Sequence, residues 1–117
     1  MKITSVKEEI DFELLEKIDI RVGTIESVED IPKSDKLVRL IVNFGDHKRR
    51  ILAGMKQERK DPKEVEGKQT LFVINLKPRK IMGEVSEGML FDIGYPDGII
   101  PVLAVPDIVV PDGSRMG

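Results

Sequence analysis

The spacing of apolar residues changes near position 18. Before it, Ile10, Leu14 and Ile18 recur every four residues, and Ser5 stands three positions ahead of Glu8 as in a capping box. The pattern predicts a short amphipathic helix over 6–17 lying on a sheet. Beyond it the period falls to two, with Ile18, Ile20 and Val22 on one side and Asp19, Arg21 and Gly23 on the other. That alternation predicts a half-buried strand running to about Val28, with a bend or bulge where Gly23 interrupts it.

Pro32, Lys33, Ser34 and Asp35 mark a turn, and Leu37–Phe44 is rich in branched apolar residues, as a strand requires. Gly45, Asp46 and His47 close a hairpin onto a strand at Arg49–Ala53. One turn of helix is expected at Asp61–Val65, with Pro62 at its start and Gly67 ending it. Thr70–Leu76 is the most strand-like run, after which Lys77, Pro78, Arg79 and Lys80 break the apolar pattern. A strand at Met89–Ile93, a turn at Gly94–Gly98 and a return at Ile99–Val105 follow. Pro106 and Pro111 then divide the tail into extended pieces ending in a turn at Asp112 and Gly113.

At least five short strands without long crossover helices predict an all-β fold, and a five-stranded oligonucleotide/oligosaccharide-binding (OB) barrel is the natural candidate. A length of 117 residues, 40% hydrophobic and 34% charged, fits one such domain. No apolar run reaches the roughly 20 residues that span a bilayer. The start lacks the order of charge and hydrophobicity of a signal peptide, so a cytoplasmic protein without membrane contact is expected. With no cysteine there is no thiol nucleophile and no sulfur-held metal. His47 is the sole imidazole and falls in a turn, which leaves little from which to build a catalytic triad.

The formal charge of −2 argues at face value against a nucleic-acid binder. Divided by segment it does not: residues 1–30 carry a net −5, residues 31–80 a net +8 and residues 81–117 a net −5. Two basic clusters stand out, Lys48, Arg49 and Arg50 with Lys56, Arg59 and Lys60 behind them, and Lys77, Arg79 and Lys80 around Pro78. Extended basic loops beside a barrel suit phosphate contacts, which release counterions whatever the base sequence. The Phe residues sit mostly in apolar runs, where core packing is expected, so recognition of RNA by shape is favoured over base stacking.

At Asn75-Leu76-Lys77-Pro78-Arg79-Lys80, then Met82-Gly83 and Ser86-Glu87-Gly88-Met89-Leu90, the chain resembles the tRNA-binding domain family. That family includes free-standing tRNA-binding proteins, the C-terminal domain or beta subunit of methionyl-tRNA synthetase, and cytokine-like domains on other synthetases. Asp19-Ile20-Arg21-Val22-Gly23, Ser34-Asp35-Lys36-Leu37, Ala53-Gly54, Glu66-Gly67-Lys68 and Pro111-Asp112-Gly113-Ser114 follow in the family's order. The likeness covers about residues 11–117.

The resemblance implies an OB barrel over 19–117 after an N-terminal helical segment, 1–18, with a C-terminal β extension that makes a homodimer. It implies binding at the outer corner of tRNA, no catalysis and no cofactor, with a methionyl-tRNA synthetase as a candidate partner. Carried over by position, Lys77, Arg79 and Lys80 match the basic loop, and Ser86 and Met89 the RNA-facing end of the barrel. Lys33 and Lys36 flank the first turn on the same side. Asn75 is assigned either to RNA or to holding loop backbone. Gly83 and Gly88 are expected to serve positive φ or close backbone approach, and Asp19 and Arg21 to pair across strands. A branch of the same fold that resembles a dimeric secretion chaperone for unfolded polypeptide is the competing reading. It tends to lose the Ser34–Leu37 turn and the Glu87–Leu90 run, both present here.

Overall fold

The computed structural model describes residues 3–117, so the first two residues of the predicted N-terminal segment lie outside the described residues. Alternating branched residues form β1 (Ile20–Asp30), β2 (Val38–Asn43), β3 (Lys48–Ala53) and β4 (Gln69–Val73). After them come β5 (Arg79–Ile81), β6 (Glu84–Ser86) and β7 (Met89–Leu90). Five of these make one antiparallel sheet in the order β3-β2-β1-β4-β7, while β5 and β6 pair as a separate hairpin. The sheet curls because β1 serves two partners: residues 20–24 pair with β4 and residues 24–30 with β2. Glu26 bulges out of the β2 ladder between Ile25 and Ser27, which sharpens the bend.

Inside the curl, Ile25, Leu40, Val42, Ile51 and Phe72 are fully buried, and Phe44 meets Phe72 edge to face at 5.5 Å. Gly23 is not the bulge its position suggested. A Cβ there would lie 2.5 Å from Val42 Cγ1 and 2.8 Å from Phe44 Cε1, so its role is to let those core side chains approach the strand.

The edge strands β3 and β7 are drawn together by the turn between β6 and β7. Glu87 N–H donates to the Arg50 carbonyl at 2.8 Å, and Leu52 N–H donates to Ser86 Oγ at 3.0 Å. The C-terminal stretch carries little regular structure, yet it fills the part of β1 that β2 does not cover. Val22 N–H donates to the Ser114 carbonyl at 2.9 Å, Gly113 N–H to the Val22 carbonyl at 2.7 Å and Met116 N–H to the Ile20 carbonyl at 2.8 Å. The expected return at Ile99–Val105 reduces to a single bridge, Ile93 with Val102.

The N-terminal helix is shorter than expected. It covers only Phe12–Glu16 and buries no residue, and Ser5 and Glu8 lie outside regular structure. Isolated helices of this length are marginal in water, and the Ile10, Leu14 and Ile18 stripe, exposed throughout, finds no sheet in its own chain to lie on. Among the described residues no helix is long and apolar enough to cross a membrane.

Candidate nucleic-acid interface

Where the first turn, the end of β3, the β5–β6 hairpin and the 95–101 segment meet, they leave a cleft of about 630 Å³. Lys36, Arg79 and Met89, three of the residues singled out from sequence, line it, together with Leu52, Glu58, Asp92 and Tyr95. Met89 is half exposed here rather than part of the core.

Each wall has a local cause. The first turn is built on Ser34, whose buried hydroxyl accepts from the N–H groups of Lys36 and Leu37 at 3.2 and 2.9 Å. Lys56 Nζ crosses to it, donating to the Ile31 and Ser34 carbonyls at 2.8 and 2.7 Å and pairing with Asp30 at 2.5 Å. Lys36 thereby faces the cleft, while Lys33 stays exposed outside its lining.

Arg79 and Lys80 are not loop residues: they open β5, which turns back through Met82 and Gly83. Both turn residues have positive φ, 52° and 80°, the requirement of a tight two-residue hairpin, so Gly83 has the role expected of it. Gly88 has the other: a Cβ there would sit 3.0 Å from the Val73 carbonyl and 3.1 Å from Ile51 Cδ1.

The two basic clusters behave differently. In the first, Lys48 pairs with Glu26 and Arg59 with Glu64, while Arg49 donates to the carbonyls of Ile74 and Glu87. With Lys56 fastened to the first turn, most of that cluster holds the fold together rather than standing ready for phosphates. In the second, Lys77, Arg79 and Lys80 are all exposed, and among the described residues none of them forms an ion pair.

Ser86 is buried, and its hydroxyl donates to the Gly88 carbonyl at 3.0 Å as well as accepting from Leu52. Asn75 accepts from Asp19 N–H at 2.8 Å and donates to the Lys17 carbonyl at 2.6 Å, tying the N-terminal segment to the end of β4. Asp19 and Arg21 do pair, but along one strand two residues apart instead of across strands, at 2.9 and 3.1 Å. That guanidinium, with Arg115 at 3.2 Å, holds the Asp19 carboxyl below its usual range.

Among the lining residues that sequence reasoning did not single out are Glu58, Asp92 and Tyr95. Burial pushes the Glu58 carboxyl up, with the nearby charge of Asp92 adding to it, and burial does the same to Asp92. Tyr95, between the positive-φ residues Gly94 and Gly98, projects its ring with 74% of the residue exposed. The expectation that the Phe residues are mostly core holds only for Phe44 and Phe72, since Phe12 and Phe91 are exposed. No group of three His, Asp or Glu side chains among the described residues is arranged to hold a metal ion.

A curled five-stranded antiparallel sheet with a charged cleft at its closing edge defines a small β-barrel binding module of OB type. Residues 20–115 match the family model described as "Putative tRNA binding domain", and the chain belongs to that tRNA-binding domain family. It is 44% identical over 109 residues, 93% of its length, to a methionine–tRNA ligase of Methanocaldococcus jannaschii. It is also 41% identical over 115 residues to that of Parabacteroides distasonis. The chain spans only 16% and 17% of the length of these two relatives. Among solved structures, a MetRS-related protein from Pyrococcus horikoshii superposes with a TM-score of 0.86 at 37% identity, covering 95% of this chain and all (100%) of that one. The chaperone CsaA from Bacillus anthracis superposes with a TM-score of 0.81 at 27% identity, covering 94% and 100%.

Proposed function

We propose that this chain binds tRNA without catalysing a reaction, with Lys36, Lys77, Arg79 and Lys80 supplying phosphate contacts around the cleft and Met89 in its wall. The observation that carries the reading is the sorting of cations: those of the other cluster are mostly consumed by the fold, while these stay exposed and unpaired, and two of them, Lys36 and Arg79, line one cleft. A free cation releases RNA counterions on contact, whereas a paired one must first give up its partner.

The same reading makes the protein a cytoplasmic homodimer, acting free or as an accessory beta subunit of a methionyl-tRNA synthetase. Exposed apolar side chains on the N-terminal helix and the C-terminal extension, such as Phe12, Leu15, Ile108 and Val109, support association of two copies. A second reading, a dimeric chaperone for unfolded polypeptide, is favoured by the full-length superposition on CsaA.

Titration of unfractionated tRNA and of an unfolded polypeptide side by side separates the two. The tRNA reading expects affinity to fall steeply between about 50 and 200 mM salt, as when several phosphates are neutralised. Tight polypeptide binding with no retention of tRNA at low salt would overturn it. Light scattering that gives the mass of one chain, 13.2 kDa, would remove the dimer.

A further inference from the structure

Charged groups of both signs face the cleft unpaired. Lys36 and Arg79 supply the positive ones and Glu58 and Asp92 the negative, and among the described residues no ion pair forms between them. Elsewhere on the same surface opposite charges find each other, Arg39 with Glu29 and Glu84, Lys48 with Glu26 and Arg59 with Glu64. Neither Glu58 nor Asp92 takes a hydrogen bond from another side chain, the Asp92 carboxyl accepting only from its own backbone N–H, and burial raises both carboxyls. A partly desolvated carboxylate with acceptor positions left open gains from any ligand N–H that reaches it.

Carboxylates also repel phosphate, so this cleft does not favour the RNA backbone throughout. It fits a ligand that carries anionic groups in one part and N–H donors in another. The exposed Tyr95 ring adds a flat apolar face to the same lining, and the volume falls within the roughly 300–1,000 Å³ of ordinary ligand pockets. A nucleotide has these three properties: phosphate, amino edge and π-face.

We propose that the cleft receives one unpaired, amino-bearing nucleobase of the bound RNA, stacked on Tyr95 with its amino edge toward Glu58 and Asp92, while Lys36 and Arg79 hold adjoining phosphates. The proposal rests on the tRNA-binding reading and adds base selectivity to it. Cytosine, adenine and guanine offer an exocyclic amine to a carboxylate, whereas uracil offers only its ring N3–H. Stacking is indifferent to base identity, so discrimination falls to the two acids.

The test uses the full chain and a Glu58→Ala/Asp92→Ala double variant, which removes the acceptors together with the charge. Their affinities for unfractionated tRNA are measured at low salt, with short oligo(C), oligo(A) and oligo(U) as competitors. Charge alone predicts that removing two negative groups beside an RNA site tightens binding. Base reading predicts the opposite sign: tRNA affinity falls about tenfold, and the preference of the wild type for oligo(C) and oligo(A) over oligo(U) disappears. Tyr95→Ala weakens all three competitors together, and Tyr95→Phe restores them.

Unchanged or tighter tRNA binding by a folded double variant, or equal competition by oligo(C) and oligo(U) against the wild type, overturns the inference. If the wild type still retains tRNA with a steep salt dependence, the tRNA reading survives that failure. Absence of tRNA retention removes both. Displacement from the cleft by a basic peptide and by no oligonucleotide assigns the carboxylates to a polypeptide instead, and the inference falls.

Discussion

Ser86 Oγ accepts the Leu52 N–H at 3.0 Å and returns its own proton to the Gly88 carbonyl at 3.0 Å, joining β3 to the turn that leads into β7. The hydroxyl is buried and both of its bonds are internal. Ser86→Ala leaves the Leu52 N–H without a partner inside the protein. Stability is expected to fall by about 1–3 kcal/mol, seen as a lower urea midpoint with an unchanged slope. Weaker tRNA binding at unchanged stability would instead mean that the hydroxyl serves RNA directly.

Replacing Lys77, Arg79 and Lys80 together by Ala removes exposed, unpaired cations. The urea midpoint is expected to stay close to that of the wild type, because no ion pair is broken. Affinity for tRNA falls, and the dependence of log affinity on log salt becomes shallower by about 2–3, near one for each phosphate that is no longer neutralised. Measuring affinity at three salt concentrations distinguishes this from loss of folded protein, which lowers affinity without changing the slope.

The strands were legible in sequence wherever one face meets the core. Ile20–Asp30, Val38–Asn43 and Gln69–Val73 alternate, or nearly so, and the turns at Gly45 and Gly113 carry the glycines that their positive φ demands. The β5–β6 hairpin was not legible. Arg79 and Lys80 are both exposed, though they point to opposite faces, and Met82-Gly83 lacks the Asn or Asp that usually announces such a turn. The predicted 6–17 helix failed for the converse reason: Ile10, Leu14 and Ile18 have the right period but no buried partner in this chain.

In the candidate site, Lys36, Arg79 and Met89 came from ordered motifs. The division of labour among the cations could not be read the same way, since whether Lys48 or Arg59 is free depends on the strand or turn placed beside it. Glu58, Asp92 and Tyr95 lack even a local pattern. Folding alone brings the end of the 55–57 turn against the segment after β7.

Lys56 belongs to the basic middle of the chain, but its ammonium is spent on Asp30 and on the Ile31 and Ser34 carbonyls. It positions Lys36 through the first turn. Lys56→Met keeps the apolar stem and removes the charge, so stability should drop by about 1–3 kcal/mol as two carbonyls lose a charged donor. Its effect on tRNA is expected in affinity and not in the salt slope, because every phosphate keeps its cation. Lys36→Ala should show the reverse: little change in the urea midpoint and a slope shallower by about one.

Acid should act on the two sets of carboxyls with opposite sign. Asp19 is held below its usual range by Arg21 and then Arg115, so its folded value lies under its unfolded one. Its contribution is therefore present above the ordinary carboxylate range and lost as pH falls toward the folded value. For Glu58 and Asp92 burial raises the folded value, so the folded state takes up protons first. Their ionisation opposes folding near neutrality, and this opposition disappears as pH falls through the raised values. Urea midpoints at about pH 7 and at steps down to about pH 2 test both signs in one experiment. Asp19→Asn is expected to lower the midpoint at neutral pH and to converge on the wild type in acid. Glu58→Gln and Asp92→Asn are expected to raise it at neutral pH and likewise to converge in acid. Two carboxylates that cost the fold stability at neutral pH would then be the same two whose removal weakens RNA binding, which is the trade expected of groups kept for a ligand. A neutral-pH midpoint that falls in Glu58→Gln would show that its carboxylate is paired in the folded protein and is not waiting for a donor.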